Sequence, residues 1–224
     1  MTGADDRAIL ALDTATTRIV VATGSRDGTV DGIATWPAGH RHGETLLSSI
    51  ERLLDERGIQ RSDLGAIVVG TGPGAFTGLR VGIATGKGLA HGLGVPLIGV
   101  STGEALLAAT GMDRAVLLLP AGPSDRLIMR AGDRPEPLPA GSEPAIAGDE
   151  TLVAVDLDGR APEDATRRGD AARERLGHEL LRLGAERLRE GVPSELEALV
   201  PEYVTLPRGV RSSAGTLAWS PDLR

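Results

Sequence analysis

The sequence predicts a mixed α/β fold in which helices flank a sheet. Two observations support this prediction. Three strand-like segments come first, joined by connections short enough for β-hairpins, and helix and strand patterns then alternate along the chain. Antiparallel strands followed by helix–strand units are typical of a mixed sheet with helices packed on it.

The first three elements are predicted strands. Ala8–Leu12 is a short apolar run of the kind found in buried strands, and Arg18–Thr23 and Thr29–Thr35 follow it closely. A loop over Pro37–Gly43 comes next. A helix is then predicted from apolar residues that recur at helical spacing, namely Leu46, Leu47, Ile50, Leu53 and Leu54.

The central part of the chain alternates between strands and helices. Ala66–Gly70 predicts a strand, Thr77–His91 a helix and Val95–Val100 another strand. Ser101 and Thr102 are both candidate N-caps for the helix that follows, and Glu104 has the spacing of a capping box if Ser101 is the cap.

The second half of the chain carries weaker patterns. Ala115–Leu119 predicts a strand, Leu127–Met129 a weak strand and Leu152–Val155 an edge strand. A long amphipathic helix is predicted over residues 163–190.

Composition excludes several classes of protein. The chain has 224 residues and no cysteine, which excludes disulfide scaffolds, thiolate metal sites and cysteine nucleophiles. The net charge of −7 and an aromatic content of 2% disfavour strong direct binding of nucleic acid. No apolar run is long enough to span a bilayer. We therefore expect a cytoplasmic protein.

A glycine-rich turn precedes the second predicted helix. The segment Thr71–Arg80 runs from a strand into a helix, where backbone N–H groups can hold an anion. A phosphate-binding Walker motif requires Gly-Lys-Ser/Thr directly after such a loop, whereas the single lysine of the chain, Lys87, lies well inside the helix. A structural turn is the favoured interpretation.

That helix carries a stripe of small residues. Gly78, Gly82, Gly86 and Ala90 are four apart and therefore share one face. Each glycine inside a helix costs about 0.8–1 kcal/mol relative to alanine, so close packing has to compensate. The stripe packs either on the chain's own sheet, which is the more common arrangement, or against a second subunit.

Few residues are candidates for catalysis or metal binding. Asp13 ends the first strand, where a carboxylate serves either as a catalytic or metal-binding group or as a turn former. His40 and His42 lack the spacing of a helical zinc pair, and His91 and His178 stand alone. The residues alone therefore leave Asp13 open between these two roles and indicate no histidine metal site.

Three segments together resemble the bacterial TsaB (YeaZ) family. They are residues 9–16 (Ile-Leu-Ala-Leu-Asp-Thr-Ala-Thr), residues 72–80 (Gly-Pro-Gly-Ala-Phe-Thr-Gly-Leu-Arg) and residues 96–102 (Pro-Leu-Ile-Gly-Val-Ser-Thr). The resemblance implies an actin-like ATPase (ASKHA) fold with a reduced second lobe. We expect an N-terminal lobe over residues 1–110, the reduced C-terminal lobe over 111–204 and a loosely ordered tail over 205–224.

The resemblance also implies a function. Members of this family are the non-catalytic dimerisation subunit of the complex that transfers a threonylcarbamoyl group to a tRNA adenosine beside the anticodon. The implied partners are TsaD, which carries the metal and transfers the group, and TsaE, an accessory ATPase; a homodimer is also possible. No cofactor is expected, and nucleotide would bind only at the interface with TsaD. The alternative is a stand-alone actin-like ATPase or kinase.

Individual residues fit the non-catalytic role that the resemblance implies. TsaD-like proteins have a His-x-x-x-His metal pair, and the aligned positions in this chain are Thr102 and Leu106. Neither side chain replaces an imidazole ligand. Asp13 and Thr14 align with the first phosphate loop of actin-like ATPases as a vestigial loop, with Ala15 in its glycine position.

The family's subunit contact uses two helices from each partner, which form a four-helix bundle. In this chain they correspond to Glu44–Arg57 and Thr77–His91. We expect Gly82→Leu to leave the monomer folded and to weaken binding of TsaD. The expected interface residues are Leu46, Leu47, Ile50, Leu54, Thr77, Gly78, Leu79, Gly82, Ile83, Gly86 and Ala90.

Overall fold

The computed structural model describes residues 7–38, 42–191 and 199–202. The strands and helices are β1 (Ala8–Asp13), β2 (Arg18–Gly24), β3 (Val30–Pro37), α1 (His42–Arg57), β4 (Leu64–Gly70), α2 (Phe76–Leu93), β5 (Leu97–Val100), α3 (Thr102–Thr110), β6 (Ala115–Pro120), β7 (Arg126–Arg130), β8 (Glu136–Leu138), β9 (Thr151–Ala154) and α4 (Glu163–Arg189). A short 3₁₀ turn, Arg61–Asp63, precedes β4.

The first sheet has five strands in the order β3-β2-β1-β4-β5. The pairs β1–β2 and β2–β3 are antiparallel, as the short connections predicted, whereas β1–β4 and β4–β5 are parallel. The predicted mixed sheet is confirmed. Because β1 and β4 run parallel, the turns after Asp13 and Gly70 lie at the same edge of this sheet.

The second sheet has four strands in the order β8-β7-β6-β9. β9 pairs parallel to β6 at one edge, as predicted for the segment around Leu152. The opposite edge strand, β8, was missed by the sequence analysis because prolines at 135, 137 and 139 interrupt the strand signal.

The layers follow from the alternation of side chains along the strands. Ile9 and Ala11 of β1 pack into a core with α3, α4 and the second sheet, whereas Leu10 and Leu12 pack with α1 and α2. Helices α3 and α4 therefore form a layer between the two sheets, and α1 and α2 cover the other face of the first sheet.

Of the two candidate N-caps, Ser101 caps α3, because its side-chain oxygen accepts a hydrogen bond from the Glu104 N–H. The Glu104 carboxylate instead pairs with Arg187 of α4 at 2.7 Å. Within the parts of the chain that the structure describes, no helix has both the length and the apolar character to cross a membrane. The expected tail over 205–224 lies outside the described residues.

Candidate functional site

Asp13 is the most distinctive polar residue of the described chain because its carboxylate is completely buried. Oδ1 accepts a hydrogen bond of 2.8 Å from the Ala15 N–H, and Oδ2 accepts one of 2.6 Å from the Thr102 hydroxyl. Burial raises the pKa of the Asp13 carboxyl, and the negative charge of Asp156 raises it further. The bond to Ala15 is the local turn contact that the sequence analysis gave as one alternative.

The space around this carboxylate is filled by the chain itself. A Cβ on Gly70 would lie 1.7 Å from Asp13 Oδ2, so only glycine fits beside the carboxylate at that position. The Thr102 hydroxyl that donates to Asp13 also accepts a 3.1 Å hydrogen bond from the Gly72 N–H. Asp13 thus lies in a closed hydrogen-bonded cluster with the ends of β1 and β4 and the start of α3.

The turn after β1 is covered by the start of α2. The Thr14 hydroxyl donates a 2.7 Å hydrogen bond to the Gly78 carbonyl, and the Ala75 N–H donates one of 2.7 Å to the Ala15 carbonyl. Gly74 approaches Ala15 so closely that a Cβ would lie 2.3 Å from its carbonyl oxygen. The glycine-rich turn therefore packs directly on the segment that the resemblance aligns with a phosphate loop.

The stripe of small residues on α2 faces the chain's own sheet. A Cβ on Gly78 would lie 2.0 Å from the Thr14 carbonyl oxygen, and one on Gly82 would lie 2.2 Å from the Thr14 hydroxyl. Gly86 faces Val69 and Leu97, and Ala90 is also buried. The expectation that a second subunit packs against this stripe is therefore corrected: Thr14 and the sheet occupy it.

The expectation for Gly82→Leu is corrected for the same reason. A leucine side chain at this position would overlap Thr14, so the substitution would disrupt the monomer rather than a subunit contact.

Most of the other expected interface residues are also in the core. Leu46, Ile50, Leu54, Leu79 and Ile83 are buried between the helices and the sheet. Leu47 is 51% exposed, and Thr77 is exposed at the first turn of α2. Of the expected residues, these two lie at the surface.

A second line of small residues on α2 faces outward. Ala84, Gly88 and Gly92 are four apart and exposed, and a Cβ on Gly88 or Gly92 would have no neighbouring heavy atom within 4 Å. This outward line was not predicted, because two lines of small residues with the same spacing give no indication of which one faces the sheet. We call Leu47, Val81, Ala84, Gly88 and Leu89 the outer face of α1 and α2; Val81 and Leu89 are partly exposed.

The two positions that the resemblance places at the TsaD metal ligands are engaged within the chain. Thr102 is fully buried and bonded to Asp13, and Leu106 is fully buried in the core between the two sheets. His91 and His178 are exposed, whereas His40 and the side chain of His42 lie outside what the structure describes. In the part of the chain that the structure describes, no three His, Asp or Glu side chains are grouped so that they could hold a metal ion.

Asp156 joins the two halves of the chain and was not singled out from the sequence. It adopts a left-handed backbone conformation (φ 57°) between β9 and α4. Its carboxylate accepts hydrogen bonds from the Thr17 N–H at 2.7 Å and from the Thr17 hydroxyl at 2.5 Å, and it pairs with Arg173 at 2.5 Å. These contacts fix the turn after β1 to the helix α4.

Comparison with known proteins identifies relatives of the chain. The family model described as "TsaD: tRNA N6-adenosine threonylcarbamoyltransferase" matches residues 25–152, more than half of the chain. The "tRNA threonylcarbamoyladenosine biosynthesis protein TsaB" of Escherichia coli K12 is 42% identical over 95 residues, or 42% of this chain and 40% of that protein. A "tRNA N6-adenosine threonylcarbamoyltransferase" of Geotalea uraniireducens is 36% identical over 85 residues, or 38% of this chain and 25% of that protein.

These sequence matches span less than half the length of either curated relative, whereas the structural match is more extensive. The YeaZ structure from Pseudomonas aeruginosa superposes with a TM-score of 0.68 at 27% identity, covering 88% of this chain and all of that one. A second P. aeruginosa structure, described as similar to peptidase YEAZ, gives a TM-score of 0.69 at 26% identity over 89% of this chain. The actin-like fold is thereby confirmed, and the chain belongs to the TsaB (YeaZ) family, within the wider family that the threonylcarbamoyltransferase model describes.

Proposed function

We propose that this chain is a non-catalytic subunit of the machinery that makes threonylcarbamoyladenosine in tRNA, and that it binds and activates TsaD. Family membership supports the pathway. The observation that carries the non-catalytic part is that Thr102 and Leu106, which the resemblance places at the TsaD metal ligands, are both buried in contacts within the chain.

Both of these side chains have structural roles that are incompatible with binding a metal ion. Thr102 links Asp13 to the Gly72 N–H, so its hydroxyl already serves as both donor and acceptor. Leu106 has no ligand atom and lies in the core. TsaD would therefore supply the metal and the transfer chemistry, and this chain would supply the protein surface that activates it.

The surroundings of Asp13 argue against the alternative of a stand-alone ATPase or kinase. An actin-like phosphate loop needs exposed backbone N–H groups and space for phosphate oxygens. Here the Ala15 N–H bonds to Asp13, and the start of α2 covers the turn. Asp13 and Thr14 thus remain as structural residues at the position of a phosphate loop.

The outer face of α1 and α2 is the surface that we assign to TsaD. It combines the exposed Leu47 with Ala84 and Gly88, which leave the α2 backbone little covered, and small residues let a partner helix approach closely. The net charge of −7 favours a protein over tRNA phosphates as the direct contact of this chain. A homodimer through the same face would compete with TsaD.

The interface is tested by Leu47→Glu, measured as the Kd for TsaD by calorimetry. Burying a carboxylate in an apolar contact should weaken binding by about tenfold or more, equivalent to about 1.4 kcal/mol. The matched control is Ile146→Glu, because Ile146 is also an exposed apolar side chain but lies after β8, in the part of the chain that forms the second sheet. Equal affinities for wild type and Leu47→Glu would refute the assignment of this face.

The non-catalytic role is tested separately by reconstituting the transfer reaction. Threonylcarbamoyl transfer to tRNA should need TsaD and should increase when this chain is added. This chain without TsaD should give no product. Product formation by the chain alone would overturn the proposed role.

A further inference from the structure

The strand β3 forms one edge of the first sheet and is long for an edge strand. It has eight residues, whereas the other edge strands of the two described sheets, β5, β8 and β9, have four, three and four. Arginines of α4 donate to backbone carbonyls of β5 and β9, through Arg187 and Arg168, and β8 contains Pro137. Short edges, prolines and covering side chains keep a sheet from pairing with another chain, and β3 has the length to pair.

The hydrogen bonds between β3 and β2 indicate which backbone groups of β3 point outward. The Ala38 N–H donates a 2.7 Å hydrogen bond to the Thr17 carbonyl, and the same register continues along β3. Hydrogen-bonded pairs alternate with non-hydrogen-bonded pairs in an antiparallel ladder. Counting back from Ala38, every second residue bonds to β2, so the N–H and C=O groups of Ile33 and Thr35 point toward the open edge.

A second copy of β3, running antiparallel, would satisfy these outward groups. With a two-fold axis at Ile33, this residue exchanges backbone hydrogen bonds with its own copy, and Thr35 of one molecule lies opposite Asp31 of the other. The register with β2 shifts at Asp31, which has no Cα partner on that strand. Pro37, which has no N–H to donate, ends β3 beyond these residues. The pairing is self-complementary, as a two-fold contact requires.

Charged side chains at the edge are also complementary in this register. Asp31 is exposed and is the one charged residue of β3. Near the other end of the strand, the guanidinium of Arg18 donates a 3.3 Å hydrogen bond to the Thr35 hydroxyl. Asp31 of one molecule, opposite Thr35 of the second, therefore lies beside the guanidinium of Arg18 in that second molecule. The two-fold axis creates this contact twice.

We propose that two copies of this chain associate through β3, which pairs antiparallel with itself about Ile33 and joins the two five-stranded sheets into one. The partner is a second copy because both the outward backbone groups and the charges of this edge complement themselves. The contact uses the edge of the sheet rather than the outer face of α1 and α2. The inference is therefore independent of the proposed binding of TsaD.

A charge exchange tests the contact, with the dimer Kd of the full chain measured by sedimentation equilibrium. Asp31→Arg or Arg18→Asp alone places like charges side by side and should raise the Kd by about tenfold or more. The double variant restores opposite charges and should return the Kd to within about threefold of wild type. Within one molecule Arg18 lies opposite Pro37, six residues or about 20 Å along the strand from Asp31, so this rescue requires a contact between molecules.

Cross-linking tests the position of the two-fold axis. Because the sequence has no cysteine, Ile33→Cys introduces a single thiol, which lies opposite its own copy at a Cα separation of about 5.5 Å that a disulfide can bridge. Thr35→Cys, two residues further along the same strand, is the matched control and should not cross-link. If Ile33→Cys does not fold, Thr35→Pro removes an outward N–H and should raise the dimer Kd by about tenfold or more.

Several results would overturn the proposal. A chain that stays monomeric at all concentrations would do so, as would a double charge variant no tighter than the single variants. Equal cross-linking of Ile33→Cys and Thr35→Cys would exclude the proposed register. A dimer that Leu47→Glu dissociates, while the charge variants leave it intact, would use the outer face of α1 and α2 instead of β3.

Discussion

Thr102 Oγ1 donates a 2.6 Å hydrogen bond to Oδ2 of Asp13, and both side chains are completely buried. The two residues are 89 positions apart, at the start of α3 and the end of β1. At these positions the resemblance aligns Thr102 with a metal ligand of TsaD and Asp13 with a phosphate-loop residue of actin-like ATPases. In this chain they bind each other, so two positions associated with chemistry in relatives form one structural contact here.

Thr102→Val should destabilise the fold by about 1–3 kcal/mol, because it leaves Asp13 Oδ2 and the Gly72 N–H without their buried partner. The free energy of unfolding in urea measures this effect. Thr45→Val, at an exposed position of α1, is the control and should change stability by less than about 0.5 kcal/mol. A Thr102→Val variant as stable as wild type would show that the hydrogen bond contributes little.

Asp13 should make the stability of wild type decrease as pH rises. Because its pKa is raised in the folded state, the native protein holds this proton at pH values where the unfolded chain has lost it. The stabilisation is complete below the unfolded value of 3.8 and is lost as pH rises through the raised pKa. Asp13→Asn should remove this component from a series of urea unfolding curves between pH 4 and pH 8. Parallel pH profiles for the two proteins would contradict the expectation.

Two substitutions on α2 should change stability in opposite directions. Gly82→Ala places a methyl group 2.2 Å from the Thr14 hydroxyl and should cost about 1–3 kcal/mol. Gly88→Ala adds the same group in open space and should stabilise the helix by about 0.5–1 kcal/mol. Thermal unfolding of the two variants measures both effects. A stabilising Gly82→Ala would contradict the observed packing of the stripe.

The isolated chain should not hydrolyse ATP. Its phosphate-loop position is closed by α2, and the Asp13 carboxylate has no space beside it for a metal-bound phosphate. A phosphate-release assay with Mg-ATP measures this, with an active actin-like kinase as the positive control. Turnover that disappears on Asp13→Ala would refute the structural role assigned to this residue.

Local patterns in the sequence predicted most of the fold. The apolar run at Ala8–Leu12, the helical spacing from Leu46 to Leu54 and the cap at Ser101 each depend on residues close together in the chain. Their structures are set by local propensity and by alternation of side chains, so the sequence alone is sufficient. The strand β8 was missed because its prolines suit an edge strand, which only its pairing with β7 reveals.

The candidate site was less predictable because its residues meet only in the folded chain. Sequence reasoning singled out Asp13, and the resemblance drew attention to Thr102, but neither indicated that the two are bonded. Asp156 was not singled out, although its carboxylate joins the turn after β1 to α4.

The sequence by itself determined the order of the strands and helices along the chain except for β8, the small-residue face of α2 and the likeness to one family, because these depend on residue types and their spacing. Only the tertiary structure decided which small-residue line is buried. Gly82 and Gly88 both lie in α2, and each belongs to a line of small residues spaced four apart, so the spacing does not distinguish the two lines. The distinction arises because the parallel pairing of β1 with β4 brings Thr14 against Gly78 and Gly82, while Gly88 faces away from the sheet.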